Sequence, residues 1–92
     1  MLKPEFTGQF KKDYKLALER GCNPKKLEKV IQLLCSEEPL PEVYRDYPLN
    51  NSRNYKGMRK CHIEPDWLLV YKIVHQILIL KLIRTGTHSD LF

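Results

Sequence analysis

Four polar residues in the second half of the chain, His62, Asp66, Arg84 and His88, are of the types needed to move protons and hold an anion. His62 and Asp66 flank a Glu64-Pro65 break, whereas Arg84 and His88 follow the last apolar run. If the runs on either side are neighbouring antiparallel strands, the break and the exit lie on one edge. Two imidazoles, a carboxylate and a guanidinium then converge there. Such a set suits cleavage of a phosphodiester by the 2′-hydroxyl of RNA itself. One group takes the hydroxyl proton, one protonates the departing 5′-oxygen, and a cation stabilises the phosphorane. Histidine titrates near neutrality and serves either proton-transfer role. Arginine grips phosphate through two parallel N–H bonds. The route needs no metal or other cofactor.

Each residue also has a plainer use. Asp66 after Pro65 can cap a turn, and Arg84 can pair with Asp66 or Asp90. Trp67 can stack on a base or fill the core. His75 falls in a turn between two apolar runs and reads as structural. A zinc site from Cys61, His62, His75 and His88 has weak support, because no C-x-x-C or H-x-x-x-H spacing accompanies them.

The elements that must position these groups change character along the chain. Thr7 is a candidate N-cap, with Phe10, Tyr14, Ala17 and Leu18 on one helical face and Gly21 at the C′ position. Asn23 caps a second helix with Pro24 in its first turn, and Leu27, Val30, Ile31, Leu34 and Cys35 form its apolar stripe. Pro39 and Pro41 stop it. Glu37 to Asn54 shows little periodicity and reads as a long connecting loop. Tyr55 to Ile63 then suggests a strand. Trp67 to Val74 and Ile77 to Ile83 suggest a hairpin of two well-buried strands. Leu2 to Phe6 adds a possible edge strand, since Pro4 cannot donate to an inner ladder. Helices first and strands later predict an α+β fold, with two N-terminal helices on one face of an antiparallel sheet. The opposite face is expected to stay open for a ligand.

With 92 residues, the chain reads as one domain over 1–92, burying about 60–65% of its unfolded surface. Its active site is therefore expected on an open face or shallow groove. The net charge is +5, unevenly placed: residues 1–46 carry nine Lys/Arg against eight Asp/Glu, residues 47–92 seven against three. A positive half steers anions, and nucleic acid is the commonest large one. Three widely spaced cysteines do not suggest a disulfide framework. Lys3, Pro4 and Glu5 argue against a signal peptide, and Lys72, His75, Gln76 and Lys81 interrupt the most apolar run, which excludes a membrane helix there. A reducing cytoplasmic setting is expected.

Longer motifs narrow the function. Cys61-His62-Ile63-Glu64-Pro65-Asp66-Trp67-Leu68-Leu69-Val70-Tyr71 resembles the H-x-x-P-D-hydrophobic-hydrophobic-Val/Ile-Tyr signature of YafQ-type toxins, within the RelE/ParE superfamily. Arg84-Thr85-Gly86-Thr87-His88-Ser89-Asp90-Leu91-Phe92 resembles that family's R-x-G-[ST]-H-x-x-L-F ending. Leu40-Pro41 through Tyr44-Arg45-Asp46-Tyr47-Pro48-Leu49 follows its linker pattern, and the helical half agrees in layout and length. The resemblance covers essentially the whole chain.

It implies a RelE-like, microbial-RNase-like α+β fold and a ribosome-dependent endoribonuclease toxin of a type II toxin–antitoxin system. The implied substrate is messenger RNA in the ribosomal A site. The implied restraint is a cognate antitoxin, whose complex with the toxin binds operator DNA. His62, Asp66, Arg84, His88 and Phe92 fall on the family's active-site positions: Asp66 or His62 as base, His88 as acid, Arg84 as phosphate clamp, and Phe92 placing substrate. Trp67 supports the site. One departure stands out, because the family's usual histidine in the linker is Tyr47 here. Tyrosine can stack on a base or donate a hydrogen bond but shuttles protons poorly at pH 7. A catalytically weakened homologue, acting as a binding module toward antitoxin and DNA, is the alternative. Arg53, Lys56, Arg59 and Lys60 are further candidates for phosphate contacts with RNA or ribosome.

Overall fold

The computed structural model describes residues 1–50 and 52–92; Asn51, within the expected loop, lies outside them. Five strands and three helices follow in the order β1 Lys3–Phe6, α1 Gly8–Glu19, α2 Pro24–Cys35, β2 Tyr47–Pro48, β3 Arg59–Glu64, β4 Trp67–Val74, β5 Ile79–Gly86 and α3 His88–Leu91. The sheet order is β1-β5-β4-β3-β2. The α+β class is as expected, with one refinement: β1 runs parallel to β5, and only the remaining pairings are antiparallel. The chain leaves β1 and traverses two helices before β2, so nothing ties β1 to its neighbour through a hairpin. As Pro4 requires, β1 is an edge.

Local signals fix both long helices. The Thr7 side chain accepts from the Phe10 amide, and its hydroxyl donates to Leu82 O at 2.8 Å, tying α1 to β5. Asn23 accepts from the Lys25 amide, with Pro24 in the first turn of α2. Between the helices Gly21 adopts φ +88°, a conformation that an L side chain resists. Phe10, Ala17, Leu27, Val30 and Leu34 then bury against Cys61, Leu69, Tyr71, Leu80 and Leu82, forming the core on the helical face.

The opposite face is less open than expected. Leu49 and Tyr55, from the segment before β3, and Leu91 of α3 pack over Leu68 and Val70 in a second core. The segment read as a loop also holds a 3-10 turn at Glu42–Tyr44 and the short strand β2. The third strand begins at Arg59, four residues later than Tyr55. Two irregularities shift the side-chain phase. One lies between His62 and Glu64, and the other sets Val70 against Arg84 while Tyr71 faces Leu82, leaving Ile83 as the extra residue.

Candidate active site

Strand alternation decides which β3 side chains reach the second face. Cys61 and Ile63 enter the core beneath the helices, so Lys60 and His62 point the other way. Lys60 lies opposite Val70 and His62 opposite Leu68, both in the second core. Cys61 and His62 therefore face opposite sides and cannot share one metal ion. Among the described residues no group of three or more His, Cys, Asp or Glu is placed to hold a metal.

Around Lys60 and His62 the rings form an arc. The Lys60 Nζ sits 4.8 Å from the Tyr47 ring centroid and 4.7 Å from that of Phe92. Tyr47 lies 6.4 Å from the His62 ring, and Phe92 lies 5.2 Å from the His88 ring. Tyr55 meets Phe92 edge-on at 5.2 Å, and its hydroxyl donates to Leu91 O at 3.0 Å. Tyr47 and Phe92 remain 42% and 45% exposed, so part of each side chain is open to solvent. Lys60 is only 6% exposed. Sequence reasoning missed Tyr55, although its place before a strand with no apolar partner in the alternation was a signal.

Burial, then the Lys60 charge, lowers the basicity of His62, and its Nδ1 is sealed without a hydrogen-bond partner. The ring is thus held neutral at pH 7, the state a general base requires. His88 is exposed on the first turn of α3 and close enough for its charge to disfavour protonation of His62. Its backbone N–H donates to Asp66 Oδ1 at 3.4 Å, so Asp66 braces the turn that carries His88. A capping box between Thr87 and Asp90, with an Arg20–Asp90 ion pair at 2.6 Å, fixes that turn further. Arg20 and the Thr87 cap hold the Asp90 carboxylate down to about 2.

Other expected contacts fall elsewhere. Arg84 does not pair with Asp66 or Asp90. It lies past the end of the β1 pairing and donates Nε and Nη2 to Asp13 of α1 at 2.8 and 3.0 Å. Asp13 also accepts from the Thr85 amide at 3.2 Å. A carboxylate on the apolar face of α1, three residues after Phe10, was the available signal. Arg59 faces the helices, away from Lys60 and His62, and pairs with Asp46, whose Oδ1 accepts from Tyr71 Oη at 2.6 Å. Trp67 is 4% exposed, and its Nε1 donates to Thr85 Oγ1 at 2.9 Å. It fills the core under the helices and cannot stack on a base. Arg53 and Lys56 are exposed, outside the arc.

Comparison with known proteins gives the family. A family model for the YafQ bacterial toxin of type II toxin–antitoxin systems matches residues 2–92. The mRNA interferase toxin YafQ of Escherichia coli strain B is 47% identical over 89 residues, 96% of this chain and 92% of that protein. Two crystal structures superpose closely. A metal-bound toxin from Helicobacter pylori has a TM-score of 0.91 at 43% identity, covering 100% of both chains. The toxin in the E. coli DinJ–YafQ complex has a TM-score of 0.87 at 45% identity, covering 100% of this chain and 99% of that one. The chain belongs to the YafQ family of bacterial toxins.

Proposed function

We propose that this protein is an mRNA interferase, an endoribonuclease toxin that cuts message in the ribosomal A site and is silenced by a cognate antitoxin. The observation that carries this function is the arc itself: two histidines, a buried cation and two half-exposed aromatic rings on one face. Tyr47 and Phe92 offer stacking surface for bases, worth about 1–3 kcal/mol per base. The positive second half draws in the backbone, with Arg53 and Lys56 contacting phosphates at the periphery. Named relatives of this length are mRNA interferases, and one is held in a complex with its antitoxin DinJ. The same proposal extends to operator DNA as a ligand of the toxin–antitoxin complex.

In the proposed reaction His62 takes the proton of the 2′-hydroxyl while the 2′-oxygen bonds to phosphorus. His88, as imidazolium, gives its proton to the 5′-oxygen as the P–O5′ bond breaks. The products are a 2′,3′-cyclic phosphate and a 5′-hydroxyl, and proton exchange with water resets both histidines. No step requires a metal. Asp66 positions His88 and is the alternative base. Arg84, locked by Asp13, anchors β5 to α1 beside the site.

Primer extension on a defined message during cell-free translation tests this function. Wild type is expected to produce cuts at in-frame codons only when ribosomes are present, and His88→Ala to produce none. Absence of cuts by wild type under every condition would instead support the weakened, antitoxin-binding homologue, for which Tyr47 is the motivating departure.

A further inference from the structure

The expected phosphate clamp, Arg84, is already occupied. Its two aligned N–H groups meet Asp13 in a bidentate pair whose carboxylate is 9% exposed. The pair offsets the guanidinium charge and takes up its Nε–Nη2 edge, leaving only the Nη1 side for any other acceptor. The reaction still develops extra negative charge at phosphorus, and a preorganised cation there is ordinarily the largest single contribution to catalysis.

Lys60 has the opposite character. Among the described residues its side chain makes no ion pair and no hydrogen bond. Its ammonium is held at the Tyr47 and Phe92 rings, close to 5 Å from each centroid, and those rings lie 6.4 Å from His62 and 5.2 Å from His88 respectively. Cation–π contacts of about 0.5–2 kcal/mol each hold the charge in place, but they satisfy none of its three N–H donors. A 94%-buried side chain cannot swing away to solvent, so its charge is held at two rings that each neighbour a histidine.

We propose that Lys60 is the catalytic cation of this toxin, donating from Nζ to a non-bridging oxygen of the scissile phosphate while the rings of Tyr47 and Phe92 stack on the flanking bases. This inference rests on the endoribonuclease function proposed above. The two aromatic rings set the position of the ammonium and the bases together, so the phosphate between two stacked bases is delivered to it. Arg84 becomes a positioning residue that anchors β5 to α1.

Single-turnover cleavage of a defined message in cell-free translation separates the possibilities, with wild type, Lys60→Met and Lys60→Arg compared. Lys60→Met retains length and apolar stem and is expected to slow cleavage about 100- to 1000-fold at saturating toxin, with a thermal midpoint at or above that of wild type. Lys60→Arg restores a cation and is expected to stay within about tenfold of wild type. Wild-type rates in a folded Lys60→Met, with wild type cutting normally, overturn the role of Lys60 and leave the endoribonuclease function standing. A silent wild type sinks both. If Lys60→Met does not fold, Lys60→Gln replaces it. A folded Lys60→Arg as slow as the neutral variant overturns the charge argument by itself.

Discussion

Removing the carboxylate of Asp13 perturbs one side chain on which three separate pieces of structure depend. Asp13 is 8% exposed and accepts from Arg84 Nε, Arg84 Nη2 and the Thr85 amide, and from Gln9 Nε2 at 3.1 Å. In Asp13→Ala the Arg84 guanidinium, whose side chain is 28% exposed, faces the helix without its counter-charge. Breaking a fully buried pair costs about 3–5 kcal/mol, and partial exposure reduces this to about 2 kcal/mol. The buried Thr85 amide loses its acceptor, which adds about 1–3 kcal/mol. The expected loss is therefore about 3–5 kcal/mol. With an unfolding entropy near 2.1 cal/mol/K per residue, this lowers Tm by about 15–25 °C. Asp13→Asn keeps one acceptor oxygen for the amide but no charge, and should lose about 2 kcal/mol. Urea unfolding at pH 7, followed by circular dichroism, measures all three proteins. A loss below about 1 kcal/mol in Asp13→Ala would show that Arg84 and Thr85 find equivalent partners elsewhere and refute the anchoring role.

Two further outcomes concern the arc. Burial and Lys60 lower the basicity of His62 in the folded state, so the unfolded chain binds a proton near pH 6.5 that the folded chain resists. Stability should fall as pH drops from 7.5 through 6.5 toward 5.5, and His62→Gln should flatten that slope in urea titrations; an unchanged slope removes His62 as its source. Tyr47→Phe keeps the ring over Lys60 and should leave cleavage within about threefold, whereas Tyr47→Ala loses a stacking surface and should slow it about tenfold or more. An inactive Tyr47→Phe would mean that the hydroxyl takes part in the chemistry.

Much of this molecule was already readable in its residues. Periodicity and caps located α1 and α2, and two β-branched and aromatic runs around His75-Gln76 located β4 and β5, because those signals act within a few residues. The C-terminal motifs carried the family. The alternation Cys61, Ile63 also implied that Lys60 and His62 share a face and that Arg59 does not, though all four basic residues of that segment read alike by charge alone. Tertiary structure decided the rest. The parallel docking of β1, the second core under Leu49, Tyr55 and Leu91, and the burial of Trp67 depend on which distant segments meet. Arg84 and Asp13 stand 71 residues apart, and no local rule joins them. Two strand irregularities reset which side chains face which side. Identity of chemistry is a property of residue types, but the partner that neutralises one cation and leaves another uncommitted is set only when remote side chains are brought within about 3 Å. That is why the sequence named the family and its histidines, and only the fold distinguished Arg84 from Lys60.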